Sequence, residues 1–224
     1  MDTTINLTSK RISAYLIDIL FIVFVISLIS QIRFINPSYD EYVESYSNYN
    51  ELLEQYQKKE IDEEEFNKLY NENYYLVSKN GISYNIVIIV VIILYFGVFQ
   101  KFNNGQTLGK KFMRIRVVDN LTNDNLGIFK YLIRILPIYF IYVGGILPLI
   151  INTILLFILN SHNYVQISTI ISYIFLGISI STFVMLAVRK DGRGLHDLLT
   201  NSKVIYLDNN RLTNEEKVII ESKG

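Results

Sequence analysis

Asp18 is the one residue whose type and position most demand a chemical explanation. It is the only formally charged side chain inside any of the four long apolar runs of this chain. An ionised carboxylate near the centre of a membrane span costs roughly 2.5–3.5 kcal/mol on insertion scales, so it needs a partner, or water, facing it. Two uses fit such a group. It could bind a proton and a monovalent cation in competition, or it could accept hydrogen bonds from Ser, Thr or Asn of neighbouring helices. Arg11 lies seven residues earlier on the same helical face, about 10 Å away along the axis and too far for an easy ion pair. Asp197 is the better carboxylate for Arg11, because both sit at the same boundary of the apolar region. A structural charge clasp between Arg11 and Asp197 is therefore expected. His196 precedes Asp197, but a His-Asp dipeptide with no serine or cysteine nucleophile motif does not make a catalytic triad, so no enzyme chemistry is expected. With no cysteine and only two histidines, neither a metal site nor a cofactor is implied.

The elements that must position these residues are membrane spans. Apolar runs cover residues 12–32, 82–99, 135–159 and 165–188, each long enough to cross a core of about 30 Å at about 1.5 Å per residue. The third is interrupted by Pro137, Gly144, Gly145, Pro148 and Asn152, which predicts either a kinked span or a re-entrant segment. The first run is too long for a signal-peptide core and is expected to remain as an anchor. Residues 100–134 carry seven Lys or Arg against Asp119 and Asp124, and Lys10, Arg11, Arg189, Lys190 and Arg193 flank the first and fourth runs. Loops rich in Lys and Arg stay in the cytoplasm. The expected fold is an all-α membrane protein of four transmembrane helices in the cell membrane, with both termini cytoplasmic.

Residues 36–80 have a different character, with eleven Asp or Glu, four Lys and tyrosine throughout. Tyr42, Tyr46, Tyr49, Leu53 and Tyr56 fall on one helical face. Asp62, with Glu65 three residues later, reads as the cap of a second helix carrying Phe66, Leu69, Tyr70 and Tyr74. An acidic extracytoplasmic helical hairpin turning near residues 58–61 is predicted. Its glutamates are either a solvated face or a surface that docks a partner or concentrates cations.

The stretch Gly105-Gln106-Thr107-Leu108-Gly109-Lys110-Lys111 has too few residues between its glycines for a phosphate-binding loop. After it, Met113, Ile115 and Val117 alternate with Arg114 and Arg116, a strand pattern. A second β-prone piece at residues 203–207 offers a partner for a small cytoplasmic sheet, whose basic face would lie against anionic headgroups. Leu195, Leu198 and Leu199 make a short amphipathic turn suited to the interface.

Taken in order, Arg11-Ile-Ser-Ala-Tyr-Leu-Ile-Asp18, the Gly105–Lys111 stretch running into Ile115-Arg-Val-Val-Asp119, Arg134, and Gly194-Leu-His-Asp197-Leu-Leu resemble the motifs of the RDD family of small membrane proteins. The resemblance covers nearly the whole chain as a single domain, 1–224, with the hairpin of residues 36–80 as an insertion. It implies that Gly105, Gln106, Gly109, Arg134 and His196 belong to a cytoplasmic motif. It further implies a transport role, with monovalent cation/proton exchange ascribed to some members and Asp18 as the intramembrane site. Four spans make a thin wall for alternating access, so a homo-oligomer would be required. The competing expectation is a non-enzymatic accessory, scaffold or immunity-type protein that binds a membrane partner through the outer hairpin. Beyond the lipid bilayer and these ions or protein partners, no nucleic acid is expected. The Ile-, Asn-, Lys- and Tyr-rich composition suggests a bacterial source.

Overall fold

The computed structural model describes residues 3–137, 139–140 and 144–207, with side chains left aside at residues 3–6, 139, 140 and 144. Among the described residues, three helices are long and apolar enough to cross a membrane. Residues Leu7–Ile29 lie in helix α1 (Thr3–Ile29), and Ile82–Phe102 and Ser161–Val188 are the other two. Shorter helices are α2 (Tyr39–Gln57) and α3 (Glu63–Asn80) before α4 (Ile82–Phe102), then α5 (Leu108–Phe112), α6 (Ile128–Ile135) and α7 (Ile146–Leu155). After them come α8 (Ser161–Val188) and α9 (Leu195–Leu199). Within α4, residues Ile93–Phe99 widen into π-helical turns.

The chain divides into two compact units, to both of which α1, α4 and α8 contribute residues. One comprises Met1–Leu20, Tyr95–Ile135 and Thr182–Gly224. Its core is a two-stranded antiparallel sheet of β1 (Ile115–Asp119) and β4 (Ser202–Tyr206), with Val117 opposite Val204. Ile115 and Val117 face inward and pack with Ala14, Leu126 and Tyr131, as their alternation with Arg114 and Arg116 predicts. Gly105 supports this sheet. Its φ of +82° suits glycine, and a Cβ there would lie 2.3 Å from the Val117 carbonyl oxygen. Val117 N–H in turn donates to the Gly105 carbonyl at 3.1 Å, and Gln106 Nε2 donates to the Ile115 carbonyl at 3.0 Å.

The other unit comprises Phe21–Leu94 and Leu136–Ser181. In it α2 and α3 pack as an antiparallel hairpin, with Tyr49 against Tyr70 and Tyr74, and Tyr56 stacked on Phe66 at 4.1 Å. The tyrosine stripe is only partly inward. Leu52, rather than Leu53, is the buried leucine, and Tyr46 remains exposed while stacking on Tyr42. All eleven carboxylates of residues 36–80 are exposed. The hairpin continues α4 with only Gly81 between, but it does not prolong α1. A turn follows Ile29, stitched by Asn36, whose Nδ2 donates to the Ser30 carbonyl and whose Oδ1 accepts from Ser83.

Of the four expected transmembrane helices, three are found among the described residues, and the third apolar run is not a continuous one. Residues 135–159 do not form one helix. They contain a short antiparallel pairing of β2 (Tyr139–Phe140) with β3 (Gly144–Gly145), then the ten-residue α7, then turns. Ten residues rise only about 15 Å, half of a bilayer core. The cause is compositional. Pro137 cannot donate into a helix, the Gly144-Gly145 pair takes an extended path, and Pro148 fits only because it occupies the first turn of α7.

At the start of α3 the Asp62 side chain accepts a 2.8 Å hydrogen bond from the Glu65 N–H. Loss of such a cap costs about 1 kcal/mol. Asp62→Ala is therefore expected to speed amide exchange in the first turn of α3 while exchange in α1 is unchanged. Unaltered protection at Glu65 and Phe66 would mean the cap contributes nothing.

Candidate functional site

The charged and polar residues picked out in the sequence fall into two adjoining clusters in the unit that holds the β1–β4 sheet. The first is built on Asp18, which is 1% exposed. Its Oδ1 accepts from the Tyr95 hydroxyl at 2.6 Å and the Gly109 N–H at 2.7 Å, and its Oδ2 accepts from the Thr107 hydroxyl at 2.6 Å. Lys110 Nζ stands 3.9 Å from Oδ2 and 3.3 Å from the Thr107 oxygen, with the Phe96 ring 5.6 Å away. Local sequence explains the approach. Thr107 caps α5 by accepting from the Lys110 N–H, so the helix starts beside the carboxylate. Gly109 then lets α5 press onto α1, since a Cβ there would meet the Ala14 carbonyl oxygen at 2.0 Å.

The second cluster is built on Asp197, which is fully buried. Arg11 Nη2 donates to its Oδ2 at 2.5 Å, and Arg134 Nη1 donates to its Oδ1 at 2.6 Å. The Gly194 N–H adds a third donor at 3.0 Å, which closes the first turn of α9. Arg11 also donates to the Gly192 carbonyl, and Arg134 to the Ser202 hydroxyl at the start of β4. One carboxylate thus joins α1, α6 and α9, and Arg134 carries the link on to β4. Burial alone would raise the Asp197 pKa. The Arg134 and Arg11 guanidiniums outweigh it and hold the group well below the usual carboxylate range.

His196 completes this cluster. Its Nε2 lies 3.2 Å from Arg11 Nη2 and 3.4 Å from Asp197 Oδ2, and its Nδ1 has no hydrogen-bond partner among the described residues. Burial, reinforced by Arg134 and Arg11, pushes its pKa down to about 3, so the ring is neutral at physiological pH. Lys110 is pushed down as well, to about 8, by burial and by Arg134 and Arg11, with Asp18 opposing.

The structure therefore brings Arg11, Arg134, His196 and Asp197 together, and separately Asp18 with Gly109, while Gly105 and Gln106 serve the sheet. Sequence reasoning passed over Tyr95, Thr107 and Lys110 as partners of Asp18, and Ser202 as a partner of Arg134. Thr107 and Lys110 stood within the glycine-flanked motif, and a search for hydroxyl donors inside the apolar runs would have reached Tyr95. Among the described residues, no three metal-ligating side chains converge. The arrangement can hold two buried negative charges and change the protonation of one ammonium beside them.

Removing one partner of a buried ion pair costs about 3–5 kcal/mol. Asp197→Asn is expected to lower unfolding stability in detergent micelles by that order. The reciprocal swap Arg11→Asp with Asp197→Arg is expected not to restore it, because the new arginine would face Arg134. A swapped protein as stable as the wild type would remove Arg134 from the cluster.

His196 also gives stability a pH dependence. Its folded pKa lies below the ordinary value of 6.5, so between these values the unfolded chain binds the extra proton. Stability is then lost as pH falls from 6.5 towards 4, by at most about 1.4 kcal/mol per pH unit. Asp197 adds its own loss only below about pH 4, where an unfolded aspartate takes up a proton. Denaturation followed between pH 7 and 4 is expected to lose the upper part of this slope in His196→Gln. A variant with the wild-type slope would show that the ring is not buried neutral.

The sequence pattern of the RDD family matches residues 7–201, and the chain belongs to that family. No curated protein and no solved structure matches it.

Proposed function

We propose that this RDD-family protein is a non-enzymatic exchanger of protons for monovalent cations, working at the Asp18–Lys110 pair. The observation that carries this reading is the partly buried Lys110 ammonium, 3.9 Å from Asp18 Oδ2 and 3.3 Å from Thr107 Oγ1. Its pKa of about 8 lets it give up a proton near physiological pH. Deprotonation removes the positive charge opposite Asp18. A monovalent cation can then take the place of the ammonium between the carboxylate and hydroxyl oxygens, and reprotonation of Lys110 expels it. One positive charge is exchanged for another, so the buried carboxylate is never left uncompensated.

The topology that goes with this proposal has the protein in the cell membrane with both termini cytoplasmic, as the distribution of Lys and Arg favours. The third apolar run is then the remaining crossing, completed by its non-helical parts, with irregular backbone sheltered by neighbouring helices or by a second copy of the chain. A second reading, an accessory protein that docks a cationic partner, rests on the hairpin of residues 36–80, all of whose carboxylates face outward.

Cation uptake into proteoliposomes under an imposed pH gradient tests the exchanger. Wild-type protein is expected to move sodium or potassium most rapidly near pH 8. Lys110→Met and Asp18→Asn are expected to abolish flux in protein that still elutes as a folded species. Undiminished flux in folded Asp18→Asn would remove the site from transport. Absence of wild-type flux under sodium, potassium and proton gradients would overturn the exchanger and leave the accessory reading.

A further inference from the structure

We infer that α6 lies in the plane of the membrane interface and that exposed cations of the same unit hold anionic phospholipid headgroups. The helix has two unlike faces. Tyr131, Arg134 and Ile135 are buried, whereas Phe129 and Ile133, one turn apart on the other side, are 77% and 41% exposed. Its depth is fixed by Leu132, whose Cδ2 would lie 2.7 Å from a Cβ placed on Gly97. Gly97 stands five residues before Phe102, the end of the α4 span, or about 7.5 Å along the axis. A helix seated against the last turns of a span rests at the level of the headgroups and upper acyl chains.

Exposed residues of the same unit, beginning with the Gln100–Phe102 turn that contacts α6, suit that level. Phe102 and Phe112 are 81% and 74% exposed, and each follows a lysine, Lys101 and Lys111. Arg114 is exposed two residues further on. Among the described residues none of these three cations forms an ion pair, whereas Lys130 is occupied by Asp119 at 2.7 Å. Exposed phenylalanines beside unpaired cations suit a surface that is apolar on one side and phosphate-rich on the other. Charge chooses the occupant. A second copy meeting this face through a two-fold axis would set its cations against the same cations, while an anionic leaflet favours each cation roughly five-fold. This inference needs α4 to span the bilayer and does not depend on ion exchange.

The chain has no tryptophan, so a single introduced one reports its own surroundings. Full-length Phe129→Trp, reconstituted with brominated phosphatidylcholine, is expected to emit in the blue and to be quenched several-fold more than Glu60→Trp at the hairpin tip. Ile133→Trp, on the same face, serves if the first variant does not fold. Adding phosphatidylglycerol is expected to raise the unfolding temperature of the wild type, and Lys101→Gln/Lys111→Gln/Arg114→Gln to lose most of that rise. Quenching no greater than at position 60 would overturn the interfacial placement. Blue emission without bromolipid quenching would show protein, not lipid, over the face. A rise from phosphatidylglycerol undiminished in the triple variant would overturn the headgroup contact.

Discussion

A carboxylate taken out of water must be given its hydrogen bonds back, and in this protein two carboxylates impose that demand on one unit. Asp18 and Asp197 are 1% and 0% exposed. Between them they collect donors from α1, α4, α5, α6, the segment before α9 and the loop before α5. An unsatisfied buried charge would cost several kcal/mol. These segments are thus fixed in place by polar groups as much as by the small apolar core around Ile115, Val117 and Tyr131.

The two carboxylates are satisfied in different ways, and the difference bears on what each can do. Asp197 is held by two guanidiniums, which do not titrate and match a carboxylate with rigid donors. It is suited to permanence, joining elements far apart in the chain. Asp18 is held by two hydroxyls and one backbone N–H, all neutral, so its charge is balanced only by Lys110 at longer range. Hydroxyl oxygens have lone pairs to offer an incoming cation, and guanidiniums do not. Within one fold the first site suits a permanent tie, and the second offers the features that the proposed exchange requires.

Much of this was legible in the sequence. The apolar runs give three long helices directly, because a span has no subtler signature than length without charge. The alternation of Ile115 and Val117 with arginines reveals β1, and Asp62 reveals the start of α3. The Arg11–Asp197 contact follows from charges at a common boundary. What stayed hidden has physical reasons. The Gly109 N–H that binds Asp18 is backbone, and a backbone donor leaves no residue-type signal. Arg134 meets Asp197 across 63 positions of sequence, and only the docking of α6 sets that encounter. The third run showed its helix breakers, but whether they bend a span or divide it depends on a pairing of Tyr139–Phe140 with Gly144–Gly145 that hydropathy does not encode. The start of α1 lies well before its apolar run because polar residues end hydropathy without ending a helix.

Charge balance across the two clusters explains which group is free to change state. Three cations, Arg11, Arg134 and Lys110, stand against two carboxylates, an excess of one positive charge in largely desolvated surroundings. The group that can relieve that excess is whichever basic group yields its proton most easily. The arginines are excluded by their intrinsic basicity. His196 is already neutral, since the same positive field and burial keep a proton from its ring. Lys110 remains, and the field of both guanidiniums adds to burial in weakening its hold on the proton. The arginine clasp on Asp197 and the ammonium beside Asp18 are therefore one electrostatic system. Burial lowers the proton affinity of Lys110 most and Asp18 opposes it, while the permanent charges of the clasp add a smaller push, so a substitution at Arg134 acts on Lys110 without touching it.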